Sequence, residues 1–212
     1  MKTNLTSMLF SSNLRTNNPF LKTHFINQDG IPVNMSFDFS NDANYQTKIE
    51  KVKKETGIDI IPFYVSFDGT TYQKEGVELK VEDFYHRVLA EPKVFPKTSL
   101  PPVNDFANRF RYHIERGLDV LCICISTKFS GSYNSACVAR DLVLEEYPDA
   151  NIVVINSIVN TCLQGLGVWE AARMKEDGYS LQEIAQGLDE LKASGRIFFT
   201  IGSILPGSGR AA

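Results

Sequence analysis

The apolar run Leu118–Ile125, LDVLCICI in one-letter code, constrains the fold of this chain most strongly. A strand whose side chains are nearly all apolar, rather than alternately apolar and polar, is typical of a parallel sheet covered on both faces. Ile58–Phe67 and Ile152–Ile155 are also apolar, and segments with helical spacing separate the three runs. Strands and helices in alternation predict an α/β fold, a three-layer sandwich with a mostly parallel sheet.

The segments between the strands show the spacing of amphipathic helices. Val103–Arg116 places Phe106, Phe110 and Ile114 on one face, and Gly117 follows where a helix would end. Residues 1–31 lack any periodicity, which predicts an irregular leader. The pattern also predicts strands over Val33–Phe39 and Ile197–Ile201. It predicts further helices over Tyr45–Thr56, Val81–Ala90, Tyr133–Tyr147, Leu163–Asp177 and Leu181–Ala193.

The composition is that of an ordinary soluble globular protein. The chain has 212 residues, of which 43% are hydrophobic and 22% charged, and its formal net charge is -3. Such a balance does not favour nucleic acid as a partner. No apolar stretch is long enough to predict a transmembrane segment.

The four cysteines lie within apolar segments and show neither a CxxC motif nor the spacing of metal ligands. They are expected to be reduced core residues, so the sequence predicts no metal site and a reducing, cytoplasmic location.

Two short polar segments carry the clearest functional signal. Pro96–Ser99 (PKTS) and Ser126–Tyr133 (STKFSGSY) each place hydroxyls where the chain enters a helix. The first N–H groups of a helix are unpaired and lie at the positive end of its dipole, so an anion is stabilised there. We therefore expect the two segments to form a cradle for a small carboxylate or phosphate. A purely structural interpretation, with serine helix caps and a turn before Pro101, stays open.

Motifs of several enzyme classes are missing from the sequence. The chain contains no GxGxxG after a strand, no GxxxxGK[ST] and no GxSxG, which argues against dinucleotide enzymes, P-loop NTPases and ordinary α/β hydrolases. Ser130 has no evident base to activate it as a nucleophile. No catalytic residue is therefore assigned from the sequence.

The ordered blocks GIDIIPFYVSFDGTTYQKEGVEL, DFYHRV, PKTS and DVLCICISTKFSGSYNSA resemble the DegV family of bacterial fatty-acid-binding proteins. The resemblance implies a carrier for a long-chain fatty acid, with the carboxylate held by Thr98 and Ser130, next to Gly131. It implies no cofactor besides the bound fatty acid. It further implies that the carrier presents the carboxylate to a fatty-acid kinase subunit, which makes an acyl-phosphate for phospholipid synthesis.

The sequence departs from the family pattern near both ends. Family members usually open with a Thr-Asp-Ser motif, and here either Asp38 or Asp42 takes the place of its aspartate. Arg210 is at best a displaced analogue of the arginine in the family's Gly-Gly-Arg segment. Ser99 and Ser132 are further candidates for the cradle. The resemblance predicts a DegV-like α/β domain over residues 32–203 and a truncated tail over 204–212, with the second domain missing.

Two other functions remain open at this stage. A phosphate-handling, metal-dependent enzyme would use the same cradle, with Asp38 or Asp42 as metal ligand or base. A truncated remnant without function would instead expose apolar surface where the second domain should pack.

Overall fold

A computed structural model of the chain describes residues 58–194, with the side chains of 161, 162, 193 and 194 left aside. Several predicted features lie outside this range: the leader over residues 1–31, the elements over Val33–Phe39, Tyr45–Thr56 and Ile197–Ile201, and the candidate residues Asp38, Asp42 and Arg210. They stay predictions.

The described residues form five strands and five helices. In chain order these are β1 Tyr64–Ser66, β2 Gln73–Lys74, α1 Val81–Ala90, β3 Lys97–Ser99, α2 Val103–Ile114, β4 Val120–Cys124, α3 Ser132–Glu146, β5 Ile152–Asn156, α4 Thr161–Glu176 and α5 Leu181–Ser194. The predicted helices from Val81 onward are all present, and their ends lie within two residues of the predicted ends.

Strands β4 and β5 are parallel and lie between two layers of helices. Their register pairs Val120 with Ile152 and Cys124 with Asn156. On one face, α2 and α3 bury a cluster with the strand residues: Phe106, Ala107, Phe110, Val120, Cys124, Ala136, Ala139, Val143 and Ile152. On the other face, buried side chains of α4 and α5 pack against Ile155 of β5. These side chains are Ala171, Met174, Ile184 and Leu188. The three-layer α/β arrangement predicted from the apolar runs is therefore confirmed.

The apolar run Ile58–Phe67 differs from the prediction. Only Tyr64–Ser66 forms a strand, and β1 pairs antiparallel with β2 and β3 in a separate three-stranded sheet. A tight turn follows β1, in which the Asp68 carboxylate accepts the N–H groups of Thr70 and Thr71. A tight turn joins antiparallel neighbours, whereas parallel strands need a long crossover, so this short connection fixes the orientation of β2.

The three described cysteines, Cys122, Cys124 and Cys137, are free thiols. Cys122 and Cys124 alternate with Leu121 and Ile123 along β4, and their sulfur atoms are 3.7 Å apart. The hydrogen bond between them raises the pKa of Cys122 and lowers the pKa of Cys124. Both side chains pack in the cluster beneath α2 and α3, as expected for core cysteines.

Candidate functional site

The candidate site lies at the carboxyl ends of β4 and β5, where ligands bind in open α/β sheets. Two backbone hydrogen bonds join the loops that leave these strands. Ser126 donates its N–H to the carbonyl of Val159 at 2.9 Å, and Ser157 donates its N–H to the carbonyl of Cys124 at 3.0 Å. These bonds hold the loop between β4 and α3 against the loop between β5 and α4.

Ser126 organises the turn that leads into α3. Its carbonyl accepts the N–H groups of Phe129 at 2.9 Å and Ser130 at 3.2 Å, and its hydroxyl accepts the N–H of Lys128 at 3.3 Å. Because Ser126 is buried, these bonds are shielded from competing water. The turn therefore brings Ser130 and Gly131 to the start of the helix in a defined conformation.

The N-terminus of α3 carries several free donors. Ser130 Oγ accepts the N–H of Ser132 at 3.2 Å, and no described group accepts the hydroxyl hydrogen of Ser130. Within residues 58–194, the N–H groups of Gly131, Tyr133 and Asn134 also lack a protein acceptor. No acidic residue occupies the first turn of the helix, so no carboxylate of α3 itself competes with an incoming anion for its positive end.

Ser132, the first residue of α3, is almost fully buried. The residue is 3% exposed, and its Oγ has no hydrogen-bond partner among the described residues. Most buried polar groups in proteins are hydrogen-bonded, so this hydroxyl is an exception within the site.

The Lys-Thr-Ser segment forms the edge strand β3 and lies beside the same helix terminus. A Cβ atom on Gly131 would come within 3.3 Å of the Leu100 side chain, which shows that the chain just after β3 touches the start of α3. Thr98 pairs with Val65 and Ser99 with Tyr64, so the two hydroxyls lie on opposite faces of the sheet. Both residues are exposed.

Thr98 shares its face with Leu100. Residues two apart in an extended segment point to the same side, and Pro101 keeps Leu100 extended. The register of β3 gives Thr98 the face of Val65, which packs with Phe67 and Leu79, and gives Ser99 the face of Tyr64, whose hydroxyl donates to Asp105 Oδ2 at 2.7 Å.

Asn156 is a site residue that sequence reasoning missed. Its Oδ1 accepts the N–H groups of Thr127 at 3.4 Å and Ile158 at 3.0 Å, and its Nδ2 donates to Thr127 Oγ1 at 3.1 Å. The available signal was an asparagine directly after the apolar run Ile152–Ile155, at the sheet's carboxyl edge.

Ile158, the next residue but one, has a φ of 55°. That left-handed conformation is unusual for a β-branched side chain and is held by the bond to Asn156.

No group of three or more His, Cys, Asp or Glu side chains within residues 58–194 is arranged to hold a metal ion. Across the same part of the chain, none of the helices combines the length and the apolar character that a membrane span requires. Asp38 and Asp42, on which the metal-dependent alternative depends, lie outside the described residues.

Both the sequence and the fold of this chain match known proteins. The model of the family described as "Uncharacterised protein, DegV family" matches residues 45–205. A DegV domain-containing protein of Caldanaerobacter subterraneus subsp. tengcongensis is 38% identical over 142 residues, which cover 66% of this chain and 48% of the relative. A second relative, from Clostridium perfringens, is 30% identical over 148 residues, or 70% of this chain and 51% of the relative.

Solved structures show the same fold. A stearic acid-binding protein from Eubacterium ventriosum is 47% identical with a TM-score of 0.64, and the match covers 66% of this chain and 48% of that one. DegV of Bacillus subtilis, a fatty acid binding protein, is 26% identical with a TM-score of 0.59 over 68% of this chain and 49% of that one. The chain thus spans about half the length of the relatives it matches. The family match, over most of the chain, shows that this protein belongs to the DegV family.

Proposed function

We propose that this protein is a fatty-acid carrier that holds the ligand's carboxylate between Thr98 on β3 and Ser130–Gly131 at the start of α3. The observation that carries the proposal is the set of free donors at one helix terminus beside an edge strand that bears a second hydroxyl. The fatty acids bound by the related proteins of Eubacterium ventriosum and Bacillus subtilis support the choice of ligand.

The carboxylate would be bound by hydrogen bonds and the helix dipole rather than by a basic side chain. The hydroxyl of Ser130 is oriented by the N–H of Ser132, and its own hydrogen is left for an acceptor. The N–H groups of Gly131, Tyr133 and Asn134 supply further donors. Hydrogen bonds to a charged group contribute about 1.5–3 kcal/mol each, so two or three of them suffice to orient the headgroup.

Thr98, rather than Ser99, would complete the cradle from the strand side. Thr98 lies two residues before Leu100, which touches Gly131, and alternation along β3 puts Ser99 on the opposite face of the strand from Thr98. Ser99 therefore serves as a matched control for Thr98, with the same kind of hydroxyl one residue away.

The rim of the cradle offers apolar surface for the acyl tail. Phe129 is 61% exposed and Ile158 is 50% exposed, and both belong to the loops at the carboxyl edge of β4 and β5. Each methylene group that is removed from water contributes about 0.8 kcal/mol, so tail burial would dominate the affinity while the cradle fixes the orientation.

The carrier would act without turnover of its own, in the cytoplasm, and present the carboxylate to a fatty-acid kinase subunit. The resemblance of its sequence blocks to the family supports this role, and the free thiols of Cys122, Cys124 and Cys137 suit a reducing compartment. The purified chain alone should hydrolyse neither esters nor nucleotides. Ester hydrolysis that Ser130→Ala abolishes would overturn the carrier role in favour of an enzyme.

The test measures the binding of hexadecanoic acid to the purified chain and to four variants. Thr98→Ala and Ser130→Ala should each weaken binding about 10- to 100-fold, the equivalent of about 1.5–3 kcal/mol. Their effects should be less than additive because both hydroxyls contact one carboxylate. The methyl ester of the acid should bind the parent chain more weakly than the acid does.

Two control variants separate ligand binding from helix capping. Ser180 Oγ accepts the N–H of Glu183 at 3.3 Å at the start of α5, and this end of α5 contacts Asn151 at the opposite edge of the sheet. Ser180→Ala should therefore lower stability yet leave the affinity unchanged, and Ser99→Ala should also bind normally. If Thr98→Ala and Ser130→Ala bind the acid as well as the parent, or if the parent binds none, the two segments are only a turn and a helix cap.

A further inference from the structure

The buried hydroxyl of Ser132 is the least satisfied polar group of the site. Its Oγ has no partner among the described residues, although the residue is only 3% exposed. Leaving a buried hydroxyl unpaired destabilises a protein, because the group has lost its hydrogen bonds to water without replacement. A serine kept in such a position needs a partner that residues 58–194 do not supply.

The position of Ser132 shows where that partner would come from. Ser132 is the first residue of α3, and the Cα–Cβ bonds of a helix tilt toward its N-terminus. Its side chain therefore leans toward the end of the helix where the N–H groups of Tyr133 and Asn134 are free. Its backbone N–H is already bound to Ser130 Oγ, so the two serines present their hydroxyls as separate groups.

We propose that the cradle has two oxygen positions and that Ser132 Oγ donates to the second, buried one. This inference rests on the proposed function and adds a selectivity to it. Thr98 and Ser130 would hold one carboxylate oxygen near the surface, while Ser132 would hold the other in the interior. A headgroup with two oxygens fills both positions, whereas a long-chain alcohol leaves Ser132 unpaired. The site therefore selects carboxylates over alcohols.

The experiment compares hexadecanoic acid with hexadecan-1-ol as ligands of the parent chain, Ser132→Ala and Ser135→Ala. Ser135 lies three residues further along α3 and serves as the control for the loss of a hydroxyl from the same helix. Ser132→Ala should bind the acid about tenfold more weakly, which corresponds to about 1.4 kcal/mol, and the alcohol with nearly unchanged affinity. Ser135→Ala should leave both affinities unchanged.

A second readout separates this role from a structural one. Because Ser132→Ala removes an unpaired buried hydroxyl, the ligand-free variant should melt about 2–4 °C higher than the parent. A lower melting temperature would show that the hydroxyl is already paired in the protein and would overturn the inference. An equal loss of affinity for acid and alcohol would also overturn it, since a packing defect acts on both ligands.

The outcome for Ser130 distinguishes the two proposals. If Ser130→Ala weakens acid binding while Ser132→Ala does not, the carrier function stands and the second oxygen position is refuted. If the parent chain binds no fatty acid, the proposed function fails and this inference fails with it.

Discussion

Replacing Asn156 with alanine should loosen the cradle without removing any group proposed to bind the carboxylate. The Asn156 amide bridges the loops that follow β4 and β5 through two bonds to Thr127 and one to Ile158. Without the amide, Thr127 and the turn after it lose their side-chain anchor to the neighbouring loop, and the backbone bond from Ser126 to Val159 remains. Ser130 should then sample positions away from the cradle.

The size of the effect follows from the three hydrogen bonds. Each neutral bond contributes about 0.5–1.5 kcal/mol, and the bond from Thr127 N–H, at 3.4 Å, is long enough to count for little. The sum is about 1–3 kcal/mol. Release of Ile158 from its left-handed backbone returns part of this, since that conformation costs about 1–2 kcal/mol. We expect Asn156→Ala to lower the free energy of unfolding by about 1–2 kcal/mol.

Denaturant unfolding and fatty-acid titration would measure the two consequences, with Asn151→Ala as the control. Asn151 bridges Asp119 and Gln182, with both distances 3.2 Å, at the other end of β5. Both variants should lose stability. Only Asn156→Ala should lose affinity, by about three- to tenfold, because only that amide positions the loop before α3.

Equal affinities for the parent and Asn156→Ala, together with a loss of stability, would refute the reasoning. In that case the turn around Ser126 would hold Ser130 in place by itself. A loss of affinity in Asn151→Ala of the same size would also refute it, since the effect would then reflect general destabilisation.

Three further predictions concern the core, a turn and the helix start. Phe110→Ala should lower the free energy of unfolding by about 3–5 kcal/mol in denaturant titrations, because the ring is 1% exposed among α2, α3 and β4, while the folded fraction should bind normally. Hydrogen bonds from Thr71 and Thr70 lower the pKa of the Asp68 carboxyl. The stabilisation by ionised Asp68 is therefore complete above the unfolded pKa of about 4, and it is lost as the pH falls through the lower folded pKa. The stability difference between Asp68→Asn and the parent should therefore shrink in acid. Gly131→Ala should cost about 1 kcal/mol of stability and weaken binding of the fatty acid, because its methyl group would press on Leu100 at 3.3 Å.

The layered part of the fold could be predicted from the sequence because its signals are local. The apolar run that contains β4 identifies a strand that is buried on both faces. The helical spacing of Phe106 and Phe110 identifies a helix that is buried on one face. The antiparallel pairing of β1 could not be predicted in the same way. It depends on which strand lies beside which, and an apolar run such as Ile58–Phe67 is compatible with either sheet.

The site was predictable only as a set of residue types. Hydroxyls before a helix mark Ser130 and Ser132 as candidates, yet the burial of Ser132 depends on packing that no local pattern contains. The proposed choice of Thr98 over Ser99 depends on the register of β3 against β1, since a shift by one residue exchanges the two faces. Asp38, Asp42 and Arg210 lie outside the described residues and stay predictions.

The most direct test of the cradle is a titration of the bound headgroup itself, by carbon-13 NMR of hexadecanoic acid labelled at the carboxyl carbon. Donors at the start of α3 favour the ionised form, so the pKa of the bound carboxyl should be lower than that of the same acid dispersed in detergent. Ser130→Ala should move this pKa back upward. A bound carboxyl that titrates at or above the detergent value, and that does not respond to Ser130→Ala, would contradict the placement of the headgroup between Thr98 and the Ser130 loop.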